Sequence, residues 1–254
     1  MSDAIRKKEI TFLEGPQSRW KDFKYTMSVL MEFIKGFRAL HFVGPCVTIF
    51  GSARFKEDHP FYKQARALSG EIAKLGFTIL TGGGPGIMEA ANRGARDVGG
   101  RSVGCNIVLP TEQNPNPYLD KWVNIKYFFI RKTLLIKYSY AFVVMPGGFG
   151  TLDEFYEALT LVQTKMINGF PIIIFDREFY KNMLAQNEYM LTARTISAND
   201  PSLYLVTDSI PEAIAYIKDK SIRGFGLHAA QDPKPFWGFF EKGFKRLGNL
   251  QIKI

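Results

Sequence analysis

The residues best placed to do chemistry lie in the stretch Ala141 to Glu157, AFVVMPGGFGTLDEFYE. Ala141 to Met145 form a short apolar run of buried-strand type, and Pro146 stops it. Gly147-Gly148-Phe149-Gly150 turn the chain, and Thr151 opens a pattern of helical period. A strand that passes through glycines into a helix start makes an anion site. The first N–H groups of the helix have no internal partner, the helix end carries about half a positive charge, and glycine lets a phosphate come close. A pure phosphate cradle gains nothing from a carboxylate one turn in, yet Glu154 stands there. Thr151-Leu152-Asp153-Glu154 has the T-x-x-E form of a capping box, in which hydroxyl and carboxylate satisfy backbone donors. Glu154 therefore either caps the helix or acts on a ligand, and on these residues alone both readings stand.

The elements that must hold this stretch follow from alternation. Residues 17–42 read as one amphipathic helix, with Trp20, Phe23, Met27, Leu30, Ile34 and Phe37 spaced along one side. It is expected to lie across the domain or a partner subunit. Strands are expected over Cys46–Phe50, Phe77–Leu80, Ser102–Leu109, Trp122–Tyr127, Ala141–Met145, Pro171–Asp176 and Leu203–Thr207. Helices are expected over Phe61–Leu75, Ile87–Val98, Arg131–Ser139, Thr151–Ile167, Glu178–Leu191 and Pro211–Lys220. Buried-type strands alternating with helices through short loops predict an α/β fold: a single, doubly wound, mainly parallel, Rossmann-like sheet with helices on both faces. The division expected is an N-terminal extension over 1–45, a nucleotide-type domain over 46–220 and a tail over 221–254. Ligands of such sheets bind at the carboxyl ends of the strands, and all three glycine-rich turns lie at that end.

Composition narrows the setting. The chain has 254 residues, enough for one large domain with its own core. It has no apolar run of about 18 residues and no apolar segment behind its basic N-terminus, so neither a spanning helix nor secretion is expected. Cys46 and Cys105 stand alone in strand segments and are expected to be reduced thiols of a cytoplasmic protein. Three histidines without clustering give no support to a metal site. Of the net charge of +9, residues 1–45 supply eight basic against five acidic side chains, and residues 221–254 supply six against two. Basic ends of this kind bind nucleic acid or anionic membrane in some proteins. The simpler reading is solvated flanks around a site for an anionic substrate, with no nucleic-acid or membrane partner. The tail mixes Phe236, Trp237, Phe239, Phe240 and Phe244 with Lys234, Lys242, Lys245 and Arg246. It is expected to dock on the domain or its dimer mate.

The glycines exclude the commonest ligand of this fold. A dinucleotide site needs GxGxxG after the first strand and an acid at the end of the second, but here the first turn is Gly51-Ser52-Ala53-Arg54 and the second strand ends at Thr81. No GKS or GKT occurs either, so there is no P-loop. The glycines are spread over three turns instead. That arrangement predicts a pocket for one mononucleotide, with GSAR and TGGGPG as walls and PGGFGT gripping the phosphate.

Pro146 to Glu154, PGGFGTLDE, resembles the PGGxGTxxE signature of the Lonely Guy (LOG) family of nucleoside 5′-monophosphate phosphoribohydrolases, once widely labelled lysine decarboxylases. Arg131-Lys132 is similar to the Arg-Lys pair of that family, and Gly82-Gly83-Gly84-Pro85-Gly86-Ile87-Met88 resembles its second glycine loop. The resemblance covers roughly Val47 to Val206. It implies a homodimer, without cofactor or metal, that cleaves the N-glycosidic bond of a purine-type monophosphate such as AMP or a cytokinin riboside monophosphate. The products would be free base and ribose 5-phosphate. A non-catalytic nucleotide or molybdopterin-type carrier of the same superfamily is the alternative.

On this reading Glu154 is catalytic. Glycosidic cleavage passes through an oxocarbenium-like state, and a carboxylate beside the anomeric carbon stabilises it or activates water. Arg131 would orient Glu154 and the substrate, and Lys132 would serve the phosphate side. Both would open a helix, where cations oppose the dipole, which itself suggests a functional reason for them. Gly147, Gly148, Gly150 and Thr151 are expected to bind phosphate. Gly82, Gly83, Gly84 and Met88 are expected to line the pocket. Glu112 and Ser52 are weaker candidates for contacts to substrate, as is Arg54.

Overall fold

A computed structural model describes residues 18–109 and 114–223, together with Gly15 and Phe236. Helix α1 (Arg19–Leu40) precedes strand β1 (Cys46–Phe50). There follow α2 (Pro60–Lys74), β2 (Thr78–Thr81), α3 (Ile87–Asp97), β3 (Ser102–Ile107), β4 (Lys121–Ile125), α4 (Phe128–Lys137) and β5 (Ser139–Val144). The chain continues through α5 (Phe149–Gln163), β6 (Ile172–Phe175), α6 (Lys181–Thr192), a 3-10 turn (Asp200–Leu203), β7 (Tyr204–Thr207) and α7 (Ile210–Ile217). The seven strands form one sheet in the order β4-β3-β2-β1-β5-β6-β7, and every pairing is parallel. This is the doubly wound fold that the alternation of elements predicts.

Burial explains the strand sequences. β1, β2, β3 and β6 are buried at every residue, so they read as unbroken apolar or small-residue runs, whereas edge strand β4 alternates. Two cores result. One face packs Ile72, Phe77, Ile87 and Ile217 under α2, α3 and α7. The other packs Phe50, Leu134, Phe142 and Phe155 under α1, α4 and α5. The chain builds outward from β1 to β4 and then returns to place β5 beside β1. That reversal opens a crevice at the carboxyl ends of β1 and β5.

Several element bounds differ from those the sequence predicts, and two matter for function. α4 starts at Phe128, three residues before Arg131, because the Arg131 amide already donates to the Tyr127 carbonyl. α5 starts at Phe149, with Gly148 at its N-cap. The face of α1 also differs. Its buried residues are Glu32, Gly36 and Leu40, with Phe33 and Phe37 flanking, while Trp20, Phe23, Met27 and Leu30 of the predicted stripe are exposed. Close approach decides this: a Cβ on Gly36 would lie 2.3 Å from Cδ1 of Leu134. The tail from residue 224 lies outside the described residues, apart from exposed Phe236.

Candidate functional site

The crevice between β1 and β5 holds a cleft of about 790 Å³, within the range of small-molecule sites. Its floor comes from three strand ends. Ser52 N–H donates to the Pro146 carbonyl (3.0 Å), which ties the first glycine turn to the third. Ile87 N–H donates to the Ser52 carbonyl (2.9 Å), which ties in the second.

The N-terminus of α5 faces this cleft through Gly147, Gly148, Gly150 and Thr151. No side chain caps the helix. The capping-box reading of Thr151 and Glu154 is thereby corrected: the helix begins before Thr151, so Glu154 is its sixth residue and does not reach back to an N-cap. Added Cβ atoms on Gly148 and Gly150 would meet nothing within 4 Å. Crowding inside the protein therefore does not require glycine there, whereas close approach of a ligand to the backbone would.

Glu154 and Arg131 meet behind this loop. Nη2 of Arg131 lies 3.2 Å from Oε1 of Glu154, with both side chains only 11% exposed. Nε of Arg131 donates to the carbonyl of Cys105 in β3 (2.9 Å). The guanidinium passes directly over Gly82, where a Cβ would lie 2.5 Å from Nη2 of Arg131 and 2.7 Å from the sulfur of Met88. Gly82 is thus a glycine because Arg131 must cross it. Burial pushes the Glu154 carboxyl up to about 7, against the pull of Arg131. The result is a carboxylate poised near neutrality at the wall of a cleft, one helical turn (about 5.4 Å) from free helix amides.

The other expected residues divide. Ser52 and Met88 line the cleft, as does Arg54, an exposed cation with no ion-pair partner among the described residues. Gly83 and Gly84 do not line it. A Cβ on Gly83 would lie 3.4 Å from Cα of Gly104, and the Gly84 carbonyl accepts from Asn116. Thr81 braces the same loop by accepting from Gly83 N–H and donating to Asn92. These two glycines shape the turn. Lys132 is turned away from the cleft, with its ammonium 3.2 Å from Asp153 and 2.8 Å from Glu157. Neighbours on a helix point about 100° apart, so Arg131 inside places Lys132 outside. Glu112 lies outside the described residues.

Several lining residues escape the sequence reading, four of which bear on the site's chemistry and shape. Asn106 is 4% exposed at the end of β3, with its Oδ1 accepting from Ile107 N–H. Phe128, Phe149 and Phe179 add an apolar rim, and Phe149 is 93% exposed. Asn106 could have been found as the polar residue nearest a strand's carboxyl end. Phe128 could have been found one turn before Arg131 on the same helix face. No group of three or more His, Cys, Asp or Glu able to hold a metal occurs among the described residues, and no helix there is long and apolar enough to cross a membrane.

The chain is thus a doubly wound α/β protein with a helix N-terminus and a buried Arg–Glu pair at the switch point of its parallel sheet, the place where sheets of this class bind ligands. A family described as possible lysine decarboxylase matches residues 88–217, half of the chain, and the chain belongs to that family, the LOG family. It is similar to the cytokinin riboside 5′-monophosphate phosphoribohydrolase of Rhodococcoides fascians, with 28% identity over 178 residues, 68% of this chain and 88% of the relative. The protein of the same name from Mycobacterium tuberculosis is 35% identical over 101 residues, which cover 38% of this chain and 52% of the relative. Among solved structures, the molybdenum cofactor binding protein from Rippkaea orientalis shares the fold, with a TM-score of 0.51 and 24% identity over 69% of this chain and 94% of that one.

Proposed function

We propose that this protein hydrolyses the N-glycosidic bond of a purine-type nucleoside 5′-monophosphate, AMP or a cytokinin riboside monophosphate, to free base and ribose 5-phosphate. The observation that carries this reading is the buried pair of Arg131 and Glu154, one helical turn from uncapped amides. The 5′-phosphate sits on the N-terminus of α5, where the dipole and the amides of residues 149–151 favour it. The ribose then lies over Glu154. As the C1′–N bond lengthens, its electron pair moves to the base and positive charge grows on the sugar, opposite the carboxylate. Water adds to C1′, and the proton it loses ends on the departing base. Arg131 fixes the carboxylate, and the apolar rim of Phe128, Phe149 and Phe179 accommodates the base. A homodimer in the cytoplasm belongs to the same reading.

A carrier of nucleotide or molybdopterin type would need the glycine turns but not a buried carboxylate held by arginine. Incubating the purified protein with AMP separates the two: equimolar adenine and ribose 5-phosphate are expected, and binding without release would favour the carrier. The pH profile then tests the role of Glu154. With its carboxyl raised to about 7 and the ionised form active, kcat/KM rises with pH through a midpoint near 7 and stays flat above it. A fall above pH 7 would instead assign Glu154 as a proton donor. The charged groups bearing on it are Arg131 and Lys132, which pull its pKa down, and Asp153 and Glu157, which push it up.

A further inference from the structure

We propose that helix α1, which lies outside the residues matched by the family, is a positioning element of the site, holding the start of α4 through Glu32 so that Arg131 meets Glu154. The inference rests on the functional reading of that pair.

Glu32 is only 7% exposed, whereas Trp20, Phe23, Met27, Leu30 and Met31 of the same helix are exposed. Its Oε2 accepts from the backbone N–H of Lys126 (3.0 Å), just before the N-cap of α4. Its Oε1 lies 3.4 Å from the Lys35 ammonium, which also donates to the Asn124 carbonyl. Ser28 Oγ and the Tyr127 hydroxyl share a hydrogen bond of 2.7 Å, and the Tyr25 ring meets Tyr127 edge-on at 5.5 Å. Farther along, Gly36 lets the two helices touch at Leu134. The contacts across to Asn124, Lys126, Tyr127 and Leu134 all land on the segment that delivers Arg131.

The chemistry explains why a carboxylate is buried here. α4 has no side-chain cap and no acidic residue in its first turn, and it carries Arg131 at its fourth position. The dipole at a helix start favours an anion, and Glu32 supplies one from another element, accepting from Lys126, the residue before the N-cap. A leucine at position 32 would pack on the same surface and leave the Lys126 N–H without an acceptor. Glu32 thus exchanges apolar burial for a fixed register between α1 and α4. The Arg131–Glu154 distance depends on that register, because Arg131 is anchored at one end by its helix and at the other by Cys105.

The experiment uses the full-length chain with AMP as probe. Glu32→Leu is expected to lower kcat at least about tenfold with KM within about threefold, the pattern of lost transition-state alignment. Withdrawing Arg131 removes a cation from Glu154, so the midpoint of the kcat/KM profile should also move up. Glu32→Gln keeps an acceptor for the Lys126 N–H and should stay within about threefold of wild type in kcat. Unchanged kcat and unchanged midpoint in folded Glu32→Leu overturn the proposal. If that chain does not fold, the same two readouts are taken on Ser28→Ala/Lys35→Ala, where a severalfold loss of kcat supports the proposal and no change overturns it. If the wild-type protein releases base from no monophosphate, the functional reading has failed and amide hydrogen exchange decides the strut separately. Faster exchange at residues 128–132 in Glu32→Leu, with β1 and β5 unchanged, supports it; unchanged exchange there refutes it.

Discussion

Replacing Glu154 by glutamine is expected to lower kcat for base release from a nucleoside 5′-monophosphate by about 100- to 1,000-fold, or about 3–4 kcal/mol of transition-state stabilisation. Glutamine keeps the volume of the side chain and an acceptor for Arg131, so the change removes the charge and little else. Binding should survive, because the phosphate is held by the backbone of the loop from Gly147 to Thr151 and not by the carboxylate. The measurement is kcat from single-turnover base release beside the Kd of AMP. A variant within threefold of wild type in kcat would remove Glu154 from the chemistry.

The second large effect concerns the orientation of that carboxylate. Arg131→Lys preserves charge but replaces a planar fork with a point donor. A lysine cannot hold the Cys105 carbonyl and Oε1 of Glu154 at once in the arrangement seen at 2.9 and 3.2 Å. Loss of kcat by about 10- to 100-fold is expected, with KM changed much less, since the alignment of reacting groups is what suffers. Gly82→Ala should give the same phenotype without replacing either charged residue, because its Cβ would fall 2.5 Å from Nη2 of Arg131. Steady-state kinetics on the two variants check this. If Arg131→Lys were silent, the ion pair would be a structural feature of the wall. If only Gly82→Ala were impaired, the turn and not the arginine would be at issue.

Much of this was legible in the sequence, for reasons that differ from element to element. Interior strands such as β1 and β6 are buried on both faces, so each is a run of apolar residues bounded by turn signals, and periodicity finds it. The α5 loop was legible because Pro146 and three glycines concentrate in five residues. What failed was local inference where a distant contact decides. Thr151 to Glu154 has the letters of a capping box, but the helix begins two residues earlier, at Phe149, with Gly148 at its N-cap. Arg131 and Lys132 look equivalent as neighbours, yet helix geometry sends one to Glu154 and the other to Asp153 and Glu157. Of three consecutive glycines, one faces the cleft and two pack in the turn, a difference that depends on Arg131, Gly104 and Asn116. On α1 the apolar stripe pointed to one face, whereas Gly36 and Glu32 select another through shape and a single backbone donor. Hydropathy carries neither signal.

Hydrolysis at this site turns on where a ribotide's sugar lies relative to one carboxylate. The most direct measurement is a crystal structure of Glu154→Gln with AMP bound. The expected result has the phosphate on the amides of residues 149–151 and the anomeric carbon, or a water beside it, about 3–3.5 Å from the side chain at position 154. A nucleotide bound with its phosphate elsewhere, or with its anomeric carbon turned away from that side chain, would contradict it.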